Sequence, residues 1–298
     1  MTIPLDNSLL IGPAGWNYKD WRGIVYPQHR PRGFQELHYL ADFFNLVEIN
    51  STFYKIPALD SVANWLEQIR DKKNFRFSLK LFQQFTHADY PPQREQINDF
   101  CAILERLQRE SRLAALLIQF PWRFKQTAEN RAALFKLLNI FADFPRAIEF
   151  RHDSWMTEDT FDRLRQADVG FVNIDEPPHN HALPPSSIVT TNFAYLRLHG
   201  RNAAMWFNDS STVAQRYDYL YNAAEMESIY ENIKAIRNKT AALFIIFNNH
   251  YRGQAVVNAL QLMAHLGDQP LIPVTLIDHY PQLACIGRSK ADEQLSLF

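Results

Sequence analysis

The stretch AIEFRHDSW at residues 147–155 decides the fold of this chain and points to its site. Its first half alternates between apolar and charged residues, and Ile148 and Phe150 share one face of the predicted strand. Glu149 and Arg151 share the other face, because successive strand side chains point to opposite sides. Buried charges are costly unless they are paired. The stretch therefore predicts a buried strand that ends at a functional site or in a polar network that fixes the core.

The pattern extends outward from this stretch as an alternation of strands and helices. Strands are predicted at 9–12, 46–52, 75–81, 113–120, the start of 147–155, 170–175, 193–199 and 241–249. Helices are predicted at 35–44, 61–70, 93–109, 128–141, 157–166, 223–238 and 254–266, with Ser61 and Thr157 as candidate N-caps. The segments 176–187 and 200–222 show no helical period, and the segment after 266 looks irregular.

Eight strands that mostly alternate with helices predict a parallel sheet closed into a (β/α)8 TIM barrel, an α/β fold of one domain. We expect the barrel to occupy residues 1–285 and a C-terminal tail to occupy 286–298. An open, doubly wound sheet is the alternative. The first strand is followed by no Gly-rich phosphate loop, which weakens that alternative.

Composition and charge restrict the class of protein. Hydrophobic residues make up 47% of the 298 residues and charged residues 21%, as in an ordinary globular protein. The net charge of −1 provides no global basic field for nucleic acid, although a local basic cleft remains compatible with it. No membrane span or signal peptide is visible, and Cys101 and Cys285 have no metal-like spacing. We therefore expect a cytoplasmic protein with no membrane association.

Polar side chains recur at the predicted strand ends, where the active site of a (β/α)8 barrel lies. The candidate catalytic residues are Glu48, Lys80, Glu149, Asp175 and His199. Carboxylates serve as general acid or base, histidine moves protons near neutral pH, and lysine and arginine also bind anions. The candidate ligand-binding residues are Trp16, Asn50, Tyr54, Gln119, Arg151, His152, Trp155, Arg197 and Asn248. Their aromatic members are suited to stacking on sugar rings or unpaired bases.

The same polar ring allows two other interpretations. Its carboxylates and guanidinium groups can form an ion-pair network that plugs the barrel and has no further role. Its carboxylates and His199 have suitable chemistry for a divalent metal. Arg151 and Arg197 would repel such a cation, and no compact ligand motif is present. We therefore favour no metal site and leave the identity of any cofactor open.

Several pieces of the sequence together resemble the YecE-like family, the domain-of-unknown-function 72 proteins. They are Gly15-Trp16 with Tyr18, Trp21, Gly23 and Tyr26; Val47-Glu48-Ile49-Asn50-Ser51-Thr52-Phe53-Tyr54; Lys80 with Thr86-His87; Gln119-Phe120-Pro121; Glu149-Phe150-Arg151-His152 with Ser154-Trp155; Asp175; Tyr195-Leu196-Arg197-Leu198-His199-Gly200; and Phe247-Asn248-Asn249. The resemblance covers nearly the whole chain and implies a TIM barrel. It supplies no activity, because the family is uncharacterised. The family's barrel is distantly similar to endonuclease IV and xylose-isomerase-like proteins, but the His-rich metal cluster of endonuclease IV is missing here.

The C-terminus carries a separate feature, the sequence Gln294-Leu295-Ser296-Leu297-Phe298. It is similar to the peptide by which bacterial replication and repair proteins dock on the DNA sliding clamp. A free tail can present Leu295, Leu297 and Phe298 to an apolar pocket while Gln294 forms hydrogen bonds. The alternative is that Leu297 and Phe298 pack on the barrel.

Three hypotheses of function follow. The first is an enzyme or binding protein that acts on nucleic acid, for example a phosphodiester hydrolase of DNA repair, localised by the clamp-like tail. The second is an isomerase or hydrolase of a small sugar or sugar phosphate, with Glu48 and Glu149 as acid and base. The third is a non-enzymatic barrel with a structural polar core. A basic stripe beside the barrel mouth favours the first, a deep pocket the second, and a mouth without a cavity the third.

Overall fold

The computed structural model describes residues 9–88, 92–206, 208 and 210–290, and it contains the predicted barrel. The barrel strands are β1 (Leu9–Pro13), β2 (Leu46–Ile49), β3 (Arg76–Lys80), β4 (Leu113–Gln119), β5 (Arg146–Glu149), β6 (Val169–Asp175), β7 (Phe193–Leu198) and β8 (Ala242–Phe247). They pair in parallel in the order β2-β3-β4-β5-β6-β7-β8-β1. The fold is a single-domain (β/α)8 TIM barrel, which confirms the prediction.

Helices surround the barrel and follow most of its strands. They are α1 (Glu36–Leu40), α2 (Leu59–Gln68), α3 (Arg94–Arg109), α4 (Ala128–Ile140), α5 (Glu158–Gln166), α6 (Ala203–Trp206), α7 (Val213–Arg216), α8 (Ala223–Arg237), α9 (Gln254–His265) and α10 (Val274–His279). Short 3-10 helices lie at Lys19–Trp21, Ser51–Phe53, Gln83–Phe85, Asp153–Trp155, Tyr251–Gly253 and Pro281–Cys285. Two further strands, β9 (Leu271–Pro273) and β10 (Arg288–Lys290), pair in parallel outside the barrel.

The seam between β1 and β2 closes the barrel by an irregular contact. The Asn45 amide spans the seam, since its Oδ1 accepts from the Ile11 N–H at 2.8 Å and its Nδ2 donates to the Leu9 carbonyl at 3.0 Å. Nearer the mouth, the Gly15 N–H donates to the Glu48 carbonyl at 2.8 Å. Gly12 lies between these contacts, and a Cβ there would lie 1.6 Å from the Leu46 carbonyl oxygen. The barrel therefore closes only because residue 12 has no side chain.

The hydrophobic core lies between the strands and the surrounding helices. Strand β4 is buried along almost its whole length, as expected for a parallel strand covered on both faces. The inward face of α3 shows the helical period directly, with Phe100, Ile103, Leu104 and Leu107 all buried. Burying each such side chain stabilises the fold by about 1.5–3 kcal/mol, so the apolar layer supplies most of the stability. The polar strand ends are built on this layer.

Local differences from the predicted elements have identifiable causes. Strand β2 ends at Ile49 because Asn50 adopts a helical conformation and the chain turns into a 3-10 helix. The predicted N-cap Ser61 is wrong, since α2 begins at Leu59 with Ala58 before it. Thr157 is confirmed as the N-cap of α5, because its side chain accepts from the Thr160 N–H. The predicted loop 200–222 contains α6 and α7, and the segment after 266 contains α10 and two strands.

The clamp-like tail, with Gln294, Leu295, Leu297 and Phe298, lies outside the described residues, so clamp binding stays a prediction. Within the described part of the chain, no helix combines the length and apolar character that a membrane span requires.

Candidate active site at the barrel mouth

A buried ion-pair network crosses the barrel interior, and Arg197 lies at its centre. The Arg197 guanidinium donates to Glu48 Oε1 at 2.5 Å and to Glu149 Oε2, which joins β7 to β2 and β5. Tyr195, two residues earlier on the same face, donates to Glu48 Oε2 at 2.8 Å and lies 2.6 Å from Ser78 Oγ. Glu48 and Glu149 are 0% exposed and Arg197 is 1% exposed. These charges are therefore compensated by one another and not by solvent.

The network continues from Glu149 toward the second half of the barrel. Arg151 lies 2.5 Å from Glu149 Oε1 and donates through its other terminal nitrogen to Glu176. His199 Nε2 lies 3.0 Å from the Arg151 guanidinium, and His199 Nδ1 lies 3.0 Å from the Asn248 amide. A donor therefore faces each ring nitrogen, the Arg151 guanidinium at Nε2 and the Asn248 amide nitrogen at Nδ1. Donors on both sides disfavour the doubly protonated ring.

The protonation states of these groups follow from burial and from their partners. Burial by itself raises the pKa of Glu149, but Arg151 and Arg197 together hold that pKa well below its usual value. Burial, and next the positive charge of Arg151, lowers the pKa of His199 to about 3. Glu149 is therefore a permanent carboxylate and His199 a neutral imidazole at physiological pH. Neither group is poised to exchange a proton near neutral pH, so the network resembles a structural plug more than an acid–base pair.

Lys80 differs from every cation of the plug. Its ammonium lies 3.9 Å from the centroid of the Phe53 ring and has no ion pair or hydrogen bond with any residue that the structure describes. Thr52 places the two groups together, since its Oγ1 lies 2.6 Å from the Lys80 carbonyl oxygen. Burial, and next the charge of Arg197, lowers the pKa of Lys80 to about 7. The ring favours the charged amine by about 0.5–2 kcal/mol, which is too little to outweigh these two effects.

A cavity of about 1180 Å³ opens above the plug, and we call it the mouth cavity. Six predicted site residues line it, namely Trp16, Asn50, Tyr54, Lys80, Arg197 and Asn248. Its wall also includes Tyr217 and Arg216. Among its lining residues, Asn50 Oδ1 and Arg197 Nε are buried without a hydrogen-bond partner among the described residues. The mouth cavity therefore combines aromatic walls with polar lining residues.

A smaller cavity of about 630 Å³ adjoins the first, and we call it the side cavity. It is lined by the predicted residues Gln119 and Arg151 together with Trp122, Glu176 and Trp206. Arg216 and Tyr217 line both cavities and so mark the boundary between them. The Arg151 guanidinium lies 5.9 Å from the Trp206 ring centroid.

The remaining predicted residues lie away from the two cavities. Asp175 accepts from Arg201 and Tyr221, and Asn173, two residues earlier, bonds the backbone of Ile188. This face of β6 therefore looks outward, toward the segment 176–192 that covers it. Trp155 is 1% exposed and donates to the Phe124 carbonyl, which places it in the core.

His152 belongs to a small cluster outside the barrel, with Asp153 and His181. Its ligand atoms lie within 4.8 Å of one another, which is compatible with a metal ion. The two imidazole rings, however, stack at 10° with centroids 5.0 Å apart. A metal ligand bond lies in the plane of its imidazole, and nearly parallel planes do not converge on one ion. The arrangement therefore does not fit a two-histidine metal site.

Sequence reasoning missed four contributors to the site. The inward position of Tyr195 could have been predicted, since it lies two residues before Arg197 on the same strand and must share its face. Glu176, Arg216 and Tyr217 follow strand ends within long connections, where no period predicts direction. Their positions depend on how those connections fold over the barrel mouth.

The low pKa of Lys80 predicts how stability varies with pH. The folded-state pKa, about 7, lies below the ordinary value of 10.5, so the unfolded chain binds this proton more tightly. The protonation of Lys80 therefore destabilises the folded state by its full amount below pH of about 7. As the pH rises from the folded to the unfolded pKa, this destabilisation disappears and the free energy of unfolding increases. We expect Lys80→Met to be more stable than the wild type at neutral pH, with a difference that narrows toward pH of about 10. Urea unfolding across this range measures the effect, with Lys73→Met as the exposed control; a constant difference would contradict the prediction.

Comparisons with known proteins agree with the fold. The family described as "Protein of unknown function DUF72" matches residues 10–278. The chain is 26% identical over 269 residues to the UPF0759 protein YunF of Bacillus subtilis, covering 86% of this chain and 93% of YunF. It is 28% identical over 189 residues to the UPF0759 protein YecE of Escherichia coli K12, covering 61% of this chain and 64% of YecE.

Solved structures show the same relationship. A crystal structure of a DUF72 family protein from Thermotoga maritima is 34% identical with a TM-score of 0.77, and the match covers 87% of this chain and 99% of that one. A DUF72 family protein from Enterococcus faecalis is 29% identical with a TM-score of 0.76, covering 88% and 96%. The fold and most of the length of the sequence are thus shared, and the chain belongs to the DUF72 family of proteins of unknown function.

Proposed function

We propose that this protein is an enzyme that converts a small sugar or sugar phosphate in the mouth cavity, with Lys80 as the group that reacts with the substrate or moves its proton. The observation that carries the proposal is the Lys80 amine, which borders this cavity without a carboxylate partner among the described residues. A lysine with a pKa near neutrality exists as ammonium and as free amine in comparable amounts, as general acid–base or nucleophilic catalysis requires.

The charges around the mouth cavity support a small anionic or strongly polar substrate. Two acidic residues line it: Glu36 pairs with Arg30, and Asp20 accepts from the neutral backbone N–H of Arg252 at 2.6 Å. Lys80 and Arg216 have no carboxylate partner within the described part of the chain. Arg216 therefore offers a cation to an anionic group of a ligand, while Asn50 and Asn248 offer hydrogen bonds to hydroxyl groups.

The nucleic-acid hypothesis has weaker support at this site. A nucleic-acid cleft uses a continuous track of basic side chains to neutralise phosphates. Here the guanidinium groups of Arg151 and Arg197 are already neutralised by Glu48, Glu149 and Glu176. A discrete cavity of about 1180 Å³ also matches a small molecule better than a duplex.

Turnover of a panel of sugars and sugar phosphates, followed by proton and phosphorus NMR, tests the proposal. Compounds that bind should also change the fluorescence of Trp16, which lines the cavity. For any compound that is converted, Lys80→Met should lower the turnover by roughly 100-fold or more, since general acid–base groups contribute rate factors of this size.

Lys73→Met provides the matched control, because Lys73 is exposed outside the cavity and its loss should leave turnover unchanged. The proposal fails if no sugar or sugar phosphate binds, or if a converted compound is converted equally well by Lys80→Met.

A further inference from the structure

We propose that the substrate is an anionic aldehyde or ketone and that Lys80 binds it covalently as an imine, with Arg216 holding the anionic group. This inference rests on the proposed function and specifies its chemistry. The shared feature of the predicted substrates is a carbonyl carbon together with a phosphate or carboxylate. Open-chain sugar phosphates and small keto acids both have it.

The position of Lys80 meets the geometric needs of an amine nucleophile. Its amine lies at the end of β3 where the mouth cavity begins, and Phe53 covers one side of it at 3.9 Å. A carboxylate beside it would hold the amine as ammonium, but Glu48 and Glu149 are both bonded to Arg197. Both carboxylates are therefore paired with Arg197 and not with Lys80, which leaves the nitrogen lone pair of Lys80 available to a ligand in the cavity.

The covalent step balances with the groups present. The Lys80 nitrogen forms a bond to the carbonyl carbon while the carbonyl π electrons move to oxygen. The two amine hydrogens then leave with that oxygen as water, and a carbon–nitrogen double bond remains. No oxidant or reductant takes part. Aromatic walls formed by Trp16, Tyr54 and Tyr217 limit the water around the imine but leave the cavity open to solvent, which accepts the released molecule.

Arg216 supplies the argument for an anionic group on the carbonyl compound. It lies at the C-terminal end of α7, lines both cavities, and its Nε is buried without a partner among the described residues. Guanidinium groups bind phosphate and carboxylate through paired hydrogen bonds, each stronger than a neutral one. Lys80 and Arg216 would therefore engage opposite ends of one small molecule, the carbonyl and the anion.

Borohydride trapping on the full chain tests this chemistry. The protein is incubated near pH 7.5 with dihydroxyacetone phosphate, with pyruvate or with neutral dihydroxyacetone, and is then reduced with sodium borohydride and digested. Reduction converts an imine to a stable secondary amine, so the peptide with Lys80 should gain the mass of the compound less one oxygen atom. We expect at least about tenfold more adduct at Lys80 than at exposed Lys73, because far more of its amine is uncharged.

Substitutions at Lys80 and at Arg216 test separately how the carbonyl group and the anionic group are bound. Lys80→Arg and Lys80→Met should both lose the adduct while retaining cooperative unfolding, which excludes a trivial loss of structure. Arg216→Gln should lower the adduct with the phosphate or the keto acid by about tenfold and leave the small yield with neutral dihydroxyacetone unchanged. A preference for the phosphate or for pyruvate then distinguishes the two substrate sources.

Three results would overturn the imine, and they have different meanings for the proposed function. Adducts spread evenly over surface lysines, with none enriched at Lys80, would show ordinary surface glycation. Protection of Lys80 from acetylation by sulfo-N-hydroxysuccinimide acetate in the presence of the phosphate, without any borohydride-dependent adduct, would exclude the imine and leave the proposed function standing. Absence of both protection and adduct would contradict both proposals.

Discussion

Arg197→Met is expected to destabilise the protein by about 3–5 kcal/mol, because it leaves buried carboxylates without a counter-charge. Glu48 and Glu149 are fully buried and share the guanidinium of Arg197, while methionine replaces its volume without its hydrogen bonds. Equilibrium urea unfolding at neutral pH measures the loss. Arg70→Met is the matched control, since the Arg70 side chain is 79% exposed in its pair with Glu67 and should contribute no measurable stability.

The pH dependence of this variant tests the stated cause. In the wild type the pKa of Glu149 is held low, so its contribution to stability is present above the unfolded pKa and is lost as the pH falls through the folded value. In Arg197→Met the pKa of Glu149 should rise, because Arg197 no longer opposes the effect of burial, and Glu149 takes up a proton as the pH falls. The deficit should therefore shrink toward pH of about 5. A deficit that stays constant with pH would show that lost packing is responsible and not orphaned charge.

Gly12→Ala is expected to prevent the barrel from closing, with a loss of more than about 4 kcal/mol and little soluble protein. The added Cβ would lie 1.6 Å from the Leu46 carbonyl oxygen and 2.7 Å from its carbon. Both are backbone atoms of β2, so relief requires the seam between β1 and β2 to separate. Soluble yield, far-UV circular dichroism and urea unfolding together report the effect.

Gly170→Ala is the matched control for this change. Gly170 is also a strand glycine, but its added Cβ would meet the Phe193 ring at 3.0 Å and the Thr191 side chain at 3.3 Å. Side chains can shift by a few tenths of an ångström, so we expect a loss of about 1–3 kcal/mol in a folded protein. A Gly12→Ala protein as stable as Gly170→Ala would show that the seam tolerates separation.

Most of the barrel could be predicted from sequence, because its strands and helices have strong and different periods. The runs that became β4, β6 and β8 are short and mostly apolar, and Pro121 follows β4 closely. The irregular connections were less predictable. Helices α6 and α7 have four residues each, too few for a helical period to be visible.

The two-residue period of a strand tells which side chains share a face, and this much of the site could be predicted from the sequence. On β2, β5 and β7 the polar face is the inner one, so Glu48, Glu149 and Arg197 meet as expected. On β6 the same period gave Asn173 and Asp175 a shared face, but that face looks outward. Both faces of β6 are buried, and periodicity alone cannot say which buried face lies inside a barrel.

The sequence by itself determined the barrel, its parallel strands, and the polar ring at the strand ends that includes Glu149 and Arg151. These properties depend on local periods, which neighbouring residues specify. Only the tertiary structure decided that Arg197 neutralises two glutamates, that Gly12 lets the barrel close, and that Lys80 faces a cavity without an acidic partner in the described chain. These properties depend on distances between residues far apart in sequence, and only the closed barrel sets those distances.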